Sequence, residues 1–230
     1  MVDSMTILFL CLIVPLFLTT ITLHSEAKIR MIFFSLGLFI CFFCSYINGA
    51  LTEVIGLSRY EMTYMVTPVT EELLKAIPVL LYAFLFNPKR SSLLECAMMV
   101  GIGFAMLENA YILLSVGEGD IRIALIRGFG AGLMHGVSTL VVGYGISFTH
   151  LRKKLFFVGT YAMLVAAIVY HACYNLLIQS RWDYAGILLT VLPYASILLG
   201  SQWTGIRKFF AGIRVKQLEK SENKEGKTGK

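Results

Sequence analysis

Hydrophobic residues in this chain run in long unbroken blocks, and the polar residues between them are few. The blocks at 5–23, 29–50, 62–86, 92–115, 121–149, 155–179 and 183–204 each approach the roughly 20 residues a helix needs to cross a bilayer. They predict an all-α, polytopic transmembrane helix bundle of about seven spans. The connections alternate in charge. Lys28 with Arg30, Lys89 with Arg90, Arg152 to Lys154 and the C-terminal tail are basic; Glu53, Arg59 and Glu61, Glu118, Asp120 and Arg122, and Arg181 with Asp183 are neutral to acidic. The positive-inside rule then places the N-terminus outside and the C-terminus in the cytoplasm. The first block has no basic region before it and no small-residue cleavage site after it, and reads as a retained helix rather than a signal peptide.

Composition adds little to that pattern, except in the tail. Of 230 residues, 57% are hydrophobic and 15% charged, and the net charge is +6. A basic chain can bind nucleic acid, but eight of the twenty Lys and Arg lie between Arg207 and Lys230. That segment reads as a basic, disordered cytoplasmic tail (207–230) against anionic lipid, following a bundle over 1–206. No nucleic-acid partner is expected. Cys11, Cys41, Cys44, Cys96 and Cys173 fall inside apolar blocks without disulfide or zinc-knuckle spacing, and read as buried small hydrophobes.

The charges inside the blocks carry the chemistry. Thr70-Glu71-Glu72-Leu73-Leu74-Lys75 puts two carboxylates and an ammonium in a predicted span, where each charge near the centre costs roughly 2.5–3.5 kcal/mol unless paired. Glu71 and Lys75 are four apart and share a helical face, and Glu72 lies close to Lys75 as well, so one carboxylate can pair with the lysine and leave the other for a different task. The bland alternative is a structural ion pair with one protonated carboxyl. Glu108 and Asn109 follow Phe104 in the fourth block; Glu108 could equally lock a helix, and Phe104 reads as packing. Arg127 is a counter-ion for Glu108 or an interfacial anchor. Gly128, Gly132 and Gly136 predict a continuous small-residue stripe for close helix approach, with mid-helix His135 about one turn away. His171 and Asn175, four apart, project from one face of the sixth block.

With the assigned topology, Glu71, Glu108 and His171 each fall roughly 6–8 Å to the outer side of the midplane, His135 near it and Asn175 further out. Carboxylates, imidazoles and an amide in one low-dielectric slab can hydrolyse an amide bond: Glu as base on a water, His as proton shuttle, His and Asn as oxyanion donors. The same groups could form the relay of an ion- or proton-coupled transporter, although no inverted repeat or broken helix pair supports that.

Taken together, Glu71-Glu72-x-x-Lys75, Phe104-x-x-x-Glu108-Asn109, His135 followed by Gly143, and His171-x-x-x-Asn175 resemble the PrsW family of intramembrane proteases, relatives of the type II CAAX prenyl endopeptidases in the glutamic intramembrane protease group. The resemblance covers the core motifs at 67–178. It implies Glu71 and Glu72 as the catalytic acidic pair, completed by Glu108, His135, His171 and Asn175, with Lys75, Asn109, Phe104 and Arg127 in support. The family carries Asp where this chain has Asn175, a departure that suits an orienting or oxyanion role. It implies a membrane-anchored protein substrate, typified by an anti-sigma factor cut on its extracytoplasmic side, and a plasma-membrane location. No cofactor is expected, because a glutamate-activated water accounts for the residues; zinc is the alternative, although the chain has no HExxH.

Overall fold

The computed structural model describes residues 4–116, 121–148, 153–180, 182, 184–197 and 199–200. The basic tail and the loop residues Glu118, Asp120, Arg152, Arg181 and Asp183 lie outside them. Residues up to Val191 form one compact unit and those from Leu192 a second; the polar cluster lies wholly in the first.

The described residues are helical, with no strand among them. In order they form α1 (Ser4–Thr22), α2 (Ser25–Ile55), α3 (Arg59–Met65), α4 (Thr67–Phe86), α5 (Arg90–Val116) and α6 (Ile121–Leu125). A π-helical segment (Ile126–Ala131) leads into α7 (Gly132–Ile146) and α8 (Lys153–Ile178). A shorter apolar helix, Tyr184–Ile197, comes after them. Five helices among the described residues are long and apolar enough to cross a membrane: Ser4–Thr22, Ser25–Ile55, Arg90–Ser115, Ile123–Ile146 and Phe156–Ile178. The helix α4 is 20 residues long but carries Glu71, Glu72 and Lys75, so composition alone does not mark it as a span.

The predicted helix at 62–86 is two helices. Val66, at φ −112° and ψ −49°, separates them. The cause is Pro68: it has no N–H for the carbonyl four residues back and disfavours helix at the residue before it. Helix α3 starts on a capping box, in which Ser58 accepts from the Glu61 N–H while the Glu61 carboxylate accepts from the Ser58 N–H at 2.9 Å and hydroxyl at 2.7 Å. Those two donors hold the Glu61 carboxyl below its ordinary pKa, so the cap is in place at neutral pH and is lost as the pH falls through that lowered value.

Helices α5 and α7 form the middle of the bundle. Helix α5 packs on α2 and α7, α7 on α8, and α4 touches α2, α5, α7 and α8. The closest approaches are made at glycines. A Cβ on Gly37 of α2 would lie 2.2 Å from the Val100 carbonyl oxygen of α5, one on Gly103 of α5 2.0 Å from that of Phe34, and one on Gly101 2.2 Å from that of His135 in α7. The continuous stripe predicted at Gly128, Gly132 and Gly136 is not formed. Around Gly128 nothing comes within 4 Å, and a Cβ on Gly132 would meet only Arg127 of its own segment at 3.9 Å. The π-helical turn, with its wider i→i+5 spacing, takes the residues before Gly132 out of phase with those after it.

Gly101→Ala is expected to lower stability by roughly 1–3 kcal/mol through the clash with the His135 carbonyl. Gly49→Ala, with nothing within 4 Å, should instead leave it unchanged or raise it by roughly 0.5–1 kcal/mol. Thermal unfolding of the two variants in detergent measures the contrast.

Candidate active site

Glu71, Glu72 and Lys75 of α4 are all buried. The Lys75 ammonium donates to Glu72 Oε1 at 2.6 Å, so the lysine pairs with the carboxylate three residues back and leaves Glu71 unpaired by it. Glu72 Oε1 also accepts from the Ser138 hydroxyl at 3.1 Å and lies 2.9 Å from His171 Nδ1. A carboxylate oxygen only accepts, so Nδ1 of a neutral His171 carries the hydrogen and Nε2 presents its lone pair. That Nε2 lies 3.9 Å from Glu71 Oε2, a buried oxygen with no hydrogen-bond partner.

The second half of the cluster runs through α7. Lys75 Nζ lies 2.9 Å from His135 Nδ1. An ammonium has no lone pair, so Nδ1 accepts, and the ring hydrogen on Nε2 is donated to Glu108 Oε2 at 3.1 Å. Glu108 also pairs with the Arg127 guanidinium. Arg127 Nε donates to Asn109 Oδ1 at 2.9 Å, and Asn109 Nδ2 donates back to the Arg127 carbonyl at 3.0 Å. Arg127 stands on the π-helical segment, a distortion often found beside functional sites. Phe104 does more than fill space. Its ring lies 4.6 Å below the Lys75 ammonium and 4.8 Å from the His135 ring, while His135 and His171 meet edge to face at 4.8 Å.

Nine of the ten predicted site residues are thus joined by polar or ring contacts across α4, α5, the π-helical segment, α7 and α8. Asn175 is the exception. It donates to the Thr63 carbonyl of α3 at 2.7 Å, about one turn along α8 from His171. Sequence reasoning missed three contributors. Ser138, three residues after His135, holds Glu72. Asn48 of α2 accepts from the Thr70 hydroxyl at 2.6 Å, next to the carboxylates. Gln179 donates to the Thr63 hydroxyl at 2.7 Å. Spacing could have found Ser138 and Gln179, since each stands three or four positions after a singled-out residue.

The model of the family described as PrsW family intramembrane metalloprotease matches residues 26–200. The chain belongs to this family. It is an integral membrane protein and an intramembrane peptidase. Comparison with curated proteins and with solved structures gives no match.

The family's description implies a metal, and the donor set tests it. Glu71, His135 and His171 have donor atoms within 4.8 Å of one another, all buried. Tetrahedral zinc with ligands at about 2.0–2.1 Å would draw them to roughly 3.4 Å. Glu71 Oε2 and His171 Nε2 are free to bind, but both nitrogens of His135 are already engaged, by Lys75 and by Glu108. Two free donors fall short of the three protein ligands of a catalytic zinc, and an ammonium stands beside the third. The residues do not fit a metal as arranged.

Lys75→Met leaves the Glu72 carboxylate buried without its cation and should cost roughly 3–5 kcal/mol of stability. Ser138→Ala, which removes one hydrogen bond from the same oxygen, should cost about 1 kcal/mol. Thermal unfolding distinguishes them, and a Lys75→Met variant as stable as wild type would refute the pairing.

Proposed function

We propose that the chain hydrolyses peptide bonds of membrane-anchored proteins with a glutamate-activated water, Glu71 serving as the base. The observation that carries this reading is the difference between the two adjacent carboxylates. Glu72 is committed through Oε1 to Lys75, His171 and Ser138, its Oε2 being buried without a partner; Glu71 Oε2 is also buried and unpartnered, but it faces the open nitrogen of His171 at 3.9 Å and has no cation beside it. A water between the two can donate one hydrogen to Glu71 and the other to His171 Nε2.

As that water's oxygen bonds to the carbonyl carbon, Glu71 takes its proton. When the tetrahedral intermediate collapses, the C–N bond breaks and Glu71 passes the proton to the leaving amine. Glu72 holds His171 in the tautomer that leaves Nε2 open. Lys75 and Arg127 counter the charges of Glu72 and Glu108, so that Glu71 is the carboxylate left without a cation.

In this reading α4 also crosses the membrane. At 1.5 Å per residue its 20 residues span about 30 Å, and its three charged residues are buried in the bundle rather than exposed to lipid, with Lys75 paired to Glu72. With α4 and the apolar block at 183–204, of which 184–197 is helical among the described residues, added to the five apolar helices, the chain has seven spans, N-terminus outside. The pattern of basic loops supports that orientation, under which the site lies in the outer leaflet, and we take the membrane to be the plasma membrane. The substrate class is then a single-span protein cut towards its extracytoplasmic side, of the anti-sigma-factor kind. A zinc-dependent version of the same protease is the second reading, supported by the family's description.

Cleavage of a panel of tagged single-span proteins by the purified protein in lipid tests this. Glu71→Gln should abolish turnover with the melting temperature unchanged, whereas Glu72→Gln should lower both, because Lys75 loses its buried partner. Activity that survives a zinc chelator supports the water mechanism; activity lost to chelator and restored by zinc moves the reading to a metalloprotease.

A further inference from the structure

His171 and Asn175 of α8 and Gln179, the residue just past its end, recur every four residues, and the Gln179 N–H still bonds to the Asn175 carbonyl, so the three continue one polar stripe. His171 meets the carboxylates of α4, and the other two meet α3. Thr63 lies in the last turn of α3, where carbonyls have no intrahelical donor, and its carbonyl accepts from Asn175 Nδ2 at 2.7 Å. Its hydroxyl accepts from Gln179 Nε2 at 2.7 Å, and Gln179 Nε2 also donates to the Asn175 carbonyl at 3.0 Å. Thr63 is thus gripped twice by one face of α8.

The grip matters because Thr63 stands just ahead of a joint in the chain. The helix breaks at Val66, whose carbonyl accepts from both Val69 N and Thr70 N, and the second residue of α4, Pro68, has no N–H to offer. Glu71 and Glu72 come within two turns of that joint. The hydrogen bond from Thr70 to Asn48 holds the start of α4 to α2; the grip on Thr63 holds the segment before the break to the helix that carries His171.

We propose that Asn175 and Gln179 are positioning residues, which latch Thr63 to α8 so that the carboxylates beyond the Val66 break stand at working distance from His171. The latch rests on the protease reading for its effect on rate, though not for its existence. In it Asn175 acts through Thr63 and does not contact the reacting atoms.

Two measurements test the latch. In the cleavage assay, Gln179→Ala and Thr63→Val should each lower kcat roughly 10-fold, as a small misplacement of catalytic groups does, with KM and melting temperature unchanged. Thr63→Ser, which keeps the hydroxyl, should restore wild-type kcat, and the double variant Gln179→Ala/Thr63→Val should be no worse than either single one. Full activity of Gln179→Ala overturns the role in catalysis.

The second measurement needs no activity. Cys11 and Cys173 are exposed, against the expectation that all five cysteines are buried, while Cys41, Cys44 and Cys96 are buried. In a background with Cys11 and Cys173 replaced by Ser, a Thr63→Cys thiol should react with a maleimide roughly tenfold faster once Asn175→Ala opens the latch, since local opening exposes the group. An unchanged rate overturns the latch itself. A wild type that cleaves no substrate, together with the faster alkylation, refutes the protease reading and leaves the latch standing.

Discussion

A charge removed from water inside a helix bundle must be met by other groups or it unfolds what surrounds it. Lys75, fully buried, is the group that imposes this condition here. Its ammonium reaches Glu72 on its own helix, His135 on α7 and the face of Phe104 on α5. Three elements are thereby fixed around one nitrogen. The contact with His135 sets that ring's tautomer and so its donation to Glu108, which joins Arg127 and Asn109 to the same network. The contact with Glu72 fixes the carboxylate that orients His171. The Lys75 contacts settle the arrangement of neutral imidazoles and paired carboxylates, and Glu71 is what remains unpaired.

Such a network requires helices closer together than ordinary side chains permit, and α5 provides for this along one face. Gly101, Phe104 and Glu108, spaced by three and four, all address His135. The glycine lets the His135 backbone approach, the phenylalanine packs on the ring, and the glutamate accepts from Nε2. Packing and chemistry are written into the same stripe, so a change that pushes α5 away from α7 disturbs both. The Gly37 and Gly103 contacts fix α5 against α2 in the same way, which leaves the central helix little freedom to shift.

The helical class and the apolar blocks were legible because hydrophobic period and helical spacing are local properties of sequence. Glu72 and Lys75 could be placed on adjoining faces from spacing alone, but which carboxylate the lysine would take depended on Ser138 and His171 arriving from other helices. The break between α3 and α4 had a visible signal in Thr67-Pro68, and the length of the surrounding apolar run obscured it. The π-helical turn had none: nothing in Ile126 to Ala131 separates it from an ordinary helix, and its effect was to undo the glycine stripe expected from regular periodicity. Spacing marks Gln179, four residues after Asn175, but not its partner: Thr63 and Asn48 stand on elements far away in the chain, where spacing within one helix carries no information.

The two bonds at Thr63 differ in what they ask of heredity. Asn175 grips a main-chain oxygen, which every amino acid supplies, so that half of the joint survives any replacement at 63 that keeps the backbone in place. Gln179 grips the side chain, here a hydroxyl, and so needs a side-chain acceptor at 63. Among descendants of this sequence, position 63 is therefore free to drift wherever 179 has ceased to be glutamine, while Asn175 carries its side of the joint whatever stands opposite.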